Sequence, residues 1–363
     1  MPTYTIIWLI SGIISLICTK LTQIFFVKKG WVEDPTIKQK KTKNATALYP
    51  VPRGGGIPIF IAILICILLF LPINTRIIAI ILAMLITLVV GILDDIFDLS
   101  PRLRLTTNLI AALIIVVSGI GIAYISNPFA PGTVIDLSHP QLVLNFFGDI
   151  KNIWIISDIL AVIWIVALMN ITGWSAGVEG QLPGYVSISA FFVGLVALSY
   201  QHDPSQLAVI VLSAALSGAY AGFLPFNFYP QKIMPGYSGK SLAGLLMAVL
   251  AILAGAKVAT LILMLWLPIL DATIVILRRI KNKKPIMLSD GQHLHHLLLK
   301  LGYSRKQISI FYWLCSLAAG IIAINLNSTQ KFFTFIGFTL FFIALLLVVY
   351  RQTLSSPTRS TRL

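Results

Sequence analysis

The chain is organised around one stretch, GILDDIFDLS at residues 91–100, which closes an apolar run at residues 77–93. A run of that length is close to the shortest that spans a bilayer as a helix. Three of the 12 acidic residues of the chain then follow within five positions. On a helix Asp94, Asp95 and Asp98 share one side, where like charges repel unless a cation lies between them. The stretch therefore predicts a membrane helix that ends in a site for Mg²⁺ or phosphate.

An alternative for the same residues is a solvated helix end, with Asp98 paired to Arg102 four positions later. We favour the functional site because a surface helix end has little need for three acids when the chain holds only 12. Mg²⁺ is typically held by one or two carboxylates together with substrate phosphates, which this spacing suits.

Composition places the chain in a membrane. Of its 363 residues, 58% are hydrophobic and only 11% are charged, whereas a soluble protein carries about 25% charged residues. We predict an all-α polytopic membrane protein with about 11 transmembrane helices, formed by one integral-membrane domain at residues 1–350 and a basic tail at 351–363. The predicted spans are residues 4–27, 57–73, 77–93, 105–125, 153–169, 185–200, 207–223, 241–256, 258–277, 308–326 and 332–350.

The basic residues predict the orientation. Alternate loops and the tail hold 22 of the 27 Lys and Arg residues. The positive-inside rule places these segments in the cytoplasm, with the N-terminus outside and the C-terminus inside. The net charge of +15 thus indicates topology and attraction for anionic lipid and phosphate, with no nucleic acid as partner. The loops predicted to be cytoplasmic are residues 28–54, 95–104, 170–184, 225–240 and 278–306.

Further polar motifs fall on the same predicted side. In PVPRGGG, residues 50–56, glycines permit close backbone approach and Arg53 offers two donors to a phosphate, although a Pro/Gly hinge explains the motif equally well. The Gly-rich turn at residues 170–184 suits a loop that wraps a ligand. GYSGKS at residues 236–241 lacks the spacer and the preceding strand of a Walker A motif, which excludes an NTPase.

The segment DGQHLHH, residues 290–296, follows Arg278 and Arg279 closely. Its histidines can bind a transition metal or donate to a pyrophosphate. Zinc would need a fourth N or S ligand, and adjacent histidines on a helix cannot both face one point, so anion binding is favoured. Together these motifs predict a cytoplasmic site where a soluble nucleotide substrate meets a membrane-borne one.

The ordered set PRGGG, DDIFD, NITGWSAGVEG, FNFYP with GYSG, and DGQHLHH resembles the polyprenyl-phosphate N-acetylhexosamine-1-phosphate transferase family, whose members include undecaprenyl-phosphate GlcNAc-1-phosphate transferases and phospho-MurNAc-pentapeptide transferases. The resemblance covers residues 53–296. It implies a transferase-like domain that moves a HexNAc-1-phosphate, most simply GlcNAc-1-phosphate, from a UDP-sugar to undecaprenyl phosphate and releases UMP. The setting implied is the bacterial cytoplasmic membrane, with the active face in the cytoplasm and a role in cell-envelope polysaccharide synthesis.

The resemblance also implies roles for individual residues. Asp94 and Asp95 match the DDxxD pair, with a catalytic role in holding metal or activating the lipid phosphate. The implied metal set, for Mg²⁺, is Asp94, Asp95, Asp98 and Glu179. The implied substrate-binding set, for the UDP-N-acetylhexosamine and the lipid phosphate, is Arg53, Asn170, Asn227, Arg278, His293, His295 and His296.

Several positions depart from the family pattern. Tyr237 stands where the family has the Asp of Gly-Asp-Ser-Gly, and Ala176 and Glu179 stand at Asp positions of the Asn-rich loop. A neutral phenol is a poor Mg²⁺ ligand. These changes predict weakened or lost Mg²⁺ binding, and they keep open an alternative, a family member that binds polyprenyl phosphate or a partner without turnover. The sequence also leaves a homodimer open, whereas a transporter is disfavoured because no duplicated halves or mid-membrane charges are visible.

Overall fold

The computed structural model describes residues 2–36, 49–130, 132–146, 149–255, 258–285 and 291–355. Parts of the predicted cytoplasmic loops at residues 28–54 and 278–306, including Asp290, lie outside the described residues, as does the tail from residue 356.

Helices make up most of the described chain, which is a multi-pass membrane protein. Eight of them are long and apolar enough to cross a membrane, and a ninth span results if a pair bent by 81° counts as one. The helices are α1 (Pro2–Lys28), α2 (Gly56–Phe70), α3 (Thr75–Phe97), α4 (Pro101–Val117), α5 (Ile155–Trp174), α6 (Gln181–Leu198), α7 (Gln206–Asn227), α8 (Gly236–Leu253), α9 (Val258–Met264), α10 (Trp266–Lys281), α11 (Leu294–Lys300), α12 (Arg305–Ile324) and α13 (Ser328–Ser355).

Each predicted span overlaps one of these helices or, for residues 258–277, the bent pair α9 and α10. Helices α2 and α4 have only 15 and 17 residues, which is short for a bilayer. The count of eleven and the orientation of the termini therefore stay predictions.

The prediction of an all-α chain is incomplete, because short antiparallel hairpins also form. Strands β1 (Val32–Glu33) and β2 (Val51–Pro52) pair beside the Arg53 motif. Between α4 and α5, β3 (Tyr124–Ser126) pairs with β4 (Val134–Asp136), and β5 (Gln141–Phe146) pairs with β6 (Asp149–Trp154). Apolar residues with high strand propensity, set between Gly and Pro turns, favour such hairpins over a helix.

The core of the bundle is built on α7 and α8, the two most buried spans, whereas α1 and α13 are peripheral and expose apolar faces. Helix α1 packs closely on α7, where the hydroxyls of Ser11 and Ser15 donate to carbonyl oxygens of α7, each over 2.6 Å. A Cβ on Gly222 would overlap the backbone of Gly12, so this crossing requires a small residue.

Many helix termini meet at one end of the bundle. The C-terminal ends of α3, α5, α7 and α10 converge there with the N-terminal ends of α2, α4, α6, α8, α11 and α12. Each loop predicted to be cytoplasmic contributes residues to this end. The chain thus brings its polar motifs together, although they are spread over about 250 residues.

Candidate active site

A cavity of about 550 Å³ opens where these helix ends converge. Five Lys or Arg side chains and three carboxylates line it, an excess of two positive charges. Its titratable lining consists of Glu33, Arg53, Asp98, Arg104, Glu179, Lys240, Arg279, His293, His295, His296 and Arg305.

Asp95 caps the start of α8 and does not line the cavity. Its carboxylate accepts hydrogen bonds from the backbone N–H of Tyr237 (2.6 Å) and the hydroxyl of Ser238 (2.7 Å). A Cβ on Gly91 would overlap Ser238, so the approach of α8 to α3 requires glycine there. A carboxylate at a helix N-terminus stabilises the exposed N–H groups, and Asp95 is thus a structural link between α3 and α8.

Asp94 and Asp98 are both bound by Arg104. Asp94 is fully buried, and its Oδ1 accepts from Nε of Arg104 and from the N–H of Leu99 (3.1 Å). Asp98 Oδ1 accepts from the Arg104 guanidinium over 2.9 Å. The pairing of Asp98 with Arg102 that the alternative, a solvated helix end, assumed is wrong: α3 ends at Phe97 and Asp98 takes a left-handed conformation (φ 54°), so helical i, i+4 geometry does not continue.

Arg53 lies among four carboxylates. Its guanidinium nitrogens are 3.4 Å from Glu33, 3.5 Å from Asp95, 3.8 Å from Asp94 and 3.9 Å from Asp98. Burial alone would lower the pKa of Arg53, but the four negative charges, Asp95 first, outweigh it and raise that pKa. Arg53 therefore stays cationic and holds the β1–β2 hairpin against α3.

Tyr237 does not line the cavity. Its hydroxyl donates to Oδ1 of Asn108 (2.9 Å), with the carbonyl oxygen of Arg104 3.2 Å away. The Arg104 guanidinium lies over the phenol ring, 5.4 Å from its centroid, a cation–π arrangement. The ring thus supports the arginine that binds Asp94 and Asp98.

The Gly-rich loop is fixed by two side chains that the sequence assigned to ligand binding. Glu179 forms an ion pair with Arg305, in which both carboxylate oxygens accept from Nη1 over 3.0 Å. Asn227 accepts from the N–H of Gly180 (2.9 Å) and donates to Gln231 and to the carbonyl of Ile233. Both side chains line the cavity, but their hydrogen bonds and ion pairs hold the loop in place.

The histidines reach the cavity from the start of α11. Nδ1 of His293 lies 2.8 Å from Asp271 Oδ2, and Asp271 Oδ1 accepts from the N–H of Leu294 (2.8 Å). Asp271 therefore holds Nδ1 as the protonated nitrogen and orients the ring. His295 is buried with its ring against Gly177. Burial and then its basic neighbours, His296 first, lower its pKa well below the ordinary range, so it is neutral at pH 7.

Two predicted substrate ligands lie away from the cavity. Asn170 donates to the carbonyl of Val166 within α5 (2.8 Å). Arg278 donates to Gln292 and lies over the ring of Tyr350, 5.0 Å from its centroid. Its neighbour Arg279 lines the cavity instead, because successive residues of a helix point about 100° apart.

The sequence assignment omitted Arg104, Lys240, Arg279 and Arg305, which all line the cavity. The signal that could have found them is the positive-inside count, since each lies in or beside a loop predicted to be cytoplasmic. Basic residues that set topology and basic residues that bind phosphate look alike in the sequence.

The side chains around the cavity do not fit the Mg²⁺ that the resemblance implies. Each of the three carboxylates on the wall is ion-paired to arginine: Glu33 to Arg53, Asp98 to Arg104 and Glu179 to Arg305. Asp94 Oδ2 has no hydrogen-bond partner, but it is buried behind the wall. Within the described residues no group of three His, Cys, Asp or Glu side chains could hold a metal ion.

Comparisons with known proteins give one family model and several curated relatives. Residues 77–255 match the family model described as Glycosyl transferase family 4. A probable undecaprenyl-phosphate N-acetylglucosaminyl 1-phosphate transferase of Bacillus subtilis is 29% identical over 97% of this chain and 91% of its own. A decaprenyl-phosphate N-acetylglucosaminephosphotransferase of Mycobacterium leprae is 26% identical over 78% of this chain and 74% of its own. A phospho-N-acetylmuramoyl-pentapeptide-transferase of Enterococcus hirae is 26% identical over 65% of this chain and 70% of its own.

A helical membrane bundle with a cationic cavity among its helix ends, together with these relatives, defines an enzyme of the membrane phosphotransferase class. More narrowly, the match to Glycosyl transferase family 4 and these relatives support the resemblance to the polyprenyl-phosphate N-acetylhexosamine-1-phosphate transferase family.

Proposed function

We propose that the protein transfers GlcNAc-1-phosphate from UDP-GlcNAc to undecaprenyl phosphate at the cytoplasmic face of a bacterial membrane, releasing UMP. The observation that carries this proposal is the cavity, which gathers five cationic side chains from distant parts of the chain at one end of an apolar bundle. A pyrophosphate and a second phosphate, brought together, need such charge to offset their repulsion.

The mouth of the cavity offers a place for the lipid. Beside Asp98 and Arg104, the apolar side chains Leu93, Phe97 and Leu103 are exposed on α3 and α4, with Phe97 68% exposed. In a membrane these faces contact acyl chains, so a polyprenyl chain can lie along them while its phosphate enters the cavity. The nucleotide-sugar would enter from the water side, past the histidines of α11.

The chemistry is a direct displacement at phosphorus. An oxygen of the lipid phosphate attacks the β-phosphorus of UDP-GlcNAc, the bond from that phosphorus to the bridging oxygen breaks, and UMP leaves with this oxygen. The lipid diphosphate and UMP carry the charge of the two reactants, so the step requires no net proton transfer. The enzyme then needs mainly to align two anions and to stabilise spread negative charge, which Arg53, Arg104 and Lys240 can do.

The test is UMP release by the purified full-length protein, given UDP-GlcNAc with and without undecaprenyl phosphate. We expect release only when the lipid phosphate is present. UDP-GalNAc and UDP-MurNAc-pentapeptide, tested in parallel, identify the sugar. Lipid-phosphate binding without UMP release from any of the three would contradict the proposal and favour a binding protein.

A further inference from the structure

We propose that this site holds the phosphates of its substrates through arginine and lysine side chains, without a divalent cation. The inference rests on the proposed function for the identity of those phosphates. Its starting point is the pairing of every carboxylate on the cavity wall with an arginine.

The first step concerns the acidic motif itself. Asp95 is committed to the N-terminus of α8, and Asp94 Oδ1 is committed to Arg104 and Leu99. Only Asp98 of the three acids reaches the wall, and Arg104 binds it over 2.9 Å. An Mg²⁺ ion at Asp98 would lie beside two guanidinium groups, since Nη1 of Arg53 is 3.9 Å from the same Asp98 oxygen that Arg104 binds, and like charges at that range repel strongly.

The second step concerns the positions where the resemblance implies further acids. Tyr237 is a neutral phenol whose hydroxyl is bound to Asn108, and Ala176 offers no ligand. Glu179 is held by Arg305 through both carboxylate oxygens. The cavity thus lacks a carboxylate that is free to turn toward a metal among the described residues.

The third step is the balance of charge. The wall carries an excess of two positive charges before any ligand enters, so it attracts phosphate and disfavours a dication. Guanidinium groups bind phosphate oxygens through two parallel N–H bonds and remain charged when partly buried. Arg104 is both 30% exposed and fixed by Asp94, Asp98 and the ring of Tyr237, which leaves it oriented and accessible to a phosphate.

The direct test measures metal binding without any substrate. The full-length protein in detergent is titrated with Mn²⁺, a paramagnetic stand-in for Mg²⁺, and bound ion is counted by electron paramagnetic resonance. We expect no stoichiometric binding. One Mn²⁺ per chain, displaced by Mg²⁺, would overturn the inference, and this result does not depend on whether UDP-GlcNAc is the substrate.

A second arm measures the affinity for UDP-GlcNAc by calorimetry, in EDTA and in excess Mg²⁺. We expect the two dissociation constants to agree within about 2-fold, whereas Arg104→Gln and Lys240→Gln should each weaken binding about 10-fold or more through the loss of a charged contact. Arg102→Gln is the matched control, because Arg102 is exposed on the same helix and lies off the cavity. Binding that is at least about 10-fold weaker in EDTA would contradict the inference.

The two proposals fail in different ways. If UMP release is absent while Mn²⁺ binding is also absent, the proposed transfer is wrong and the metal-free site stands. If UMP release occurs but stops in EDTA, with Mn²⁺ bound one per chain, the transfer stands and the inference is overturned.

Discussion

The two ends of the bundle hold cavities of opposite character. The active-site cavity measures about 550 Å³ and has eight charged Lys, Arg, Asp and Glu side chains on its wall. A cavity at the other end, between the β3–β4 hairpin, α9 and α13, measures about 260 Å³ and has mostly apolar walls. Its one Lys, Lys331, donates to Thr260 over 2.9 Å.

The difference between the two cavities indicates which charged side chains serve to bind a ligand. In the far cavity, among the described residues, Lys331 reaches the hydroxyl of Thr260 and the walls are otherwise mostly apolar. At the active-site end, arginines are held in ion-pair networks that connect α3, α4, α12 and the β1–β2 hairpin. Burying so many charges costs desolvation free energy, which is offset only by well-formed ion pairs and hydrogen bonds. A network of this size at one end of the bundle therefore points to a ligand.

The largest effect is expected for Arg53→Gln. It leaves Glu33, Asp94, Asp95 and Asp98 without their shared cation, and breaking a buried ion pair in this way costs about 3–5 kcal/mol. We expect UMP release to be lost and the melting temperature in detergent to fall. Arg76→Gln, at the other end of α3 and exposed, is the control and should behave as wild type; an equal loss in both variants would refute the contrast between the ends.

Asp94→Asn should lower turnover at least about 100-fold, because it loosens Arg104 where charge develops in the transition state. Asp98→Asn should lower it less, since Asp98 is half exposed. Asp95→Ala should instead lower the free energy of unfolding by about 1–2 kcal/mol through loss of the α8 cap. Turnover and melting temperature separate the two roles, and wild-type turnover in Asp94→Asn would refute the assignment.

The Tyr237→Asp variant tests whether an added carboxylate makes UDP-GlcNAc binding depend on Mg²⁺. We expect the new carboxylate alone to pair with Arg104 and to leave UDP-GlcNAc binding independent of Mg²⁺. Combined with Arg104→Gln, it leaves Asp94, Asp98 and the introduced carboxylate without the guanidinium of Arg104, and Mg²⁺ should then improve UDP-GlcNAc affinity about 10-fold. Calorimetry at varied Mg²⁺ concentration measures the UDP-GlcNAc affinity of both variants. If Mg²⁺ strengthens binding in Tyr237→Asp alone, Arg104 does not keep the ion out of the site.

Asp271→Asn should lower turnover about 10-fold, because the amide no longer fixes Nδ1 of His293 as a donor. Its KM for UDP-GlcNAc should rise more than its kcat falls if His293 contacts the nucleotide-sugar. A kinetic comparison with His293→Gln checks this: the double variant should be no worse than His293→Gln alone. Additive losses would mean that Asp271 acts elsewhere.

The smallest effect concerns His295. Its folded pKa lies well below the ordinary 6.5, so below that pH the unfolded chain binds a proton that the folded protein excludes. Stability should therefore fall by about 1.4 kcal/mol per pH unit as the pH drops below about 6.5. Melting temperatures from pH 7.5 to 5.5 should show a shallower fall for His295→Gln, while the exposed His202→Gln, at the other end, should match wild type.

Much of this architecture could be predicted from the sequence. The apolar runs located helices because length and hydropathy are local properties, and the basic loops identified segments that do meet at one end. The roles of individual side chains were harder, because they depend on distant partners. Asp95 binds an N–H 142 residues away, and the rotation of α10 decides that Arg279, not Arg278, faces the cavity. The hairpins between α4 and α5 were missed because their strands are short.

The central claim is that the arginine-lined cavity faces the cytoplasm and carries out the transfer. The most direct measurement adds UDP-GlcNAc, which does not cross membranes, to sealed vesicles that contain the protein and undecaprenyl phosphate. The vesicles are prepared inside-out and right-side-out, with vesicles lacking the protein as background. We predict UMP release from inside-out vesicles alone, lost in Arg104→Gln and retained in Arg102→Gln. Release from right-side-out vesicles alone, or release that survives Arg104→Gln undiminished, would contradict the account.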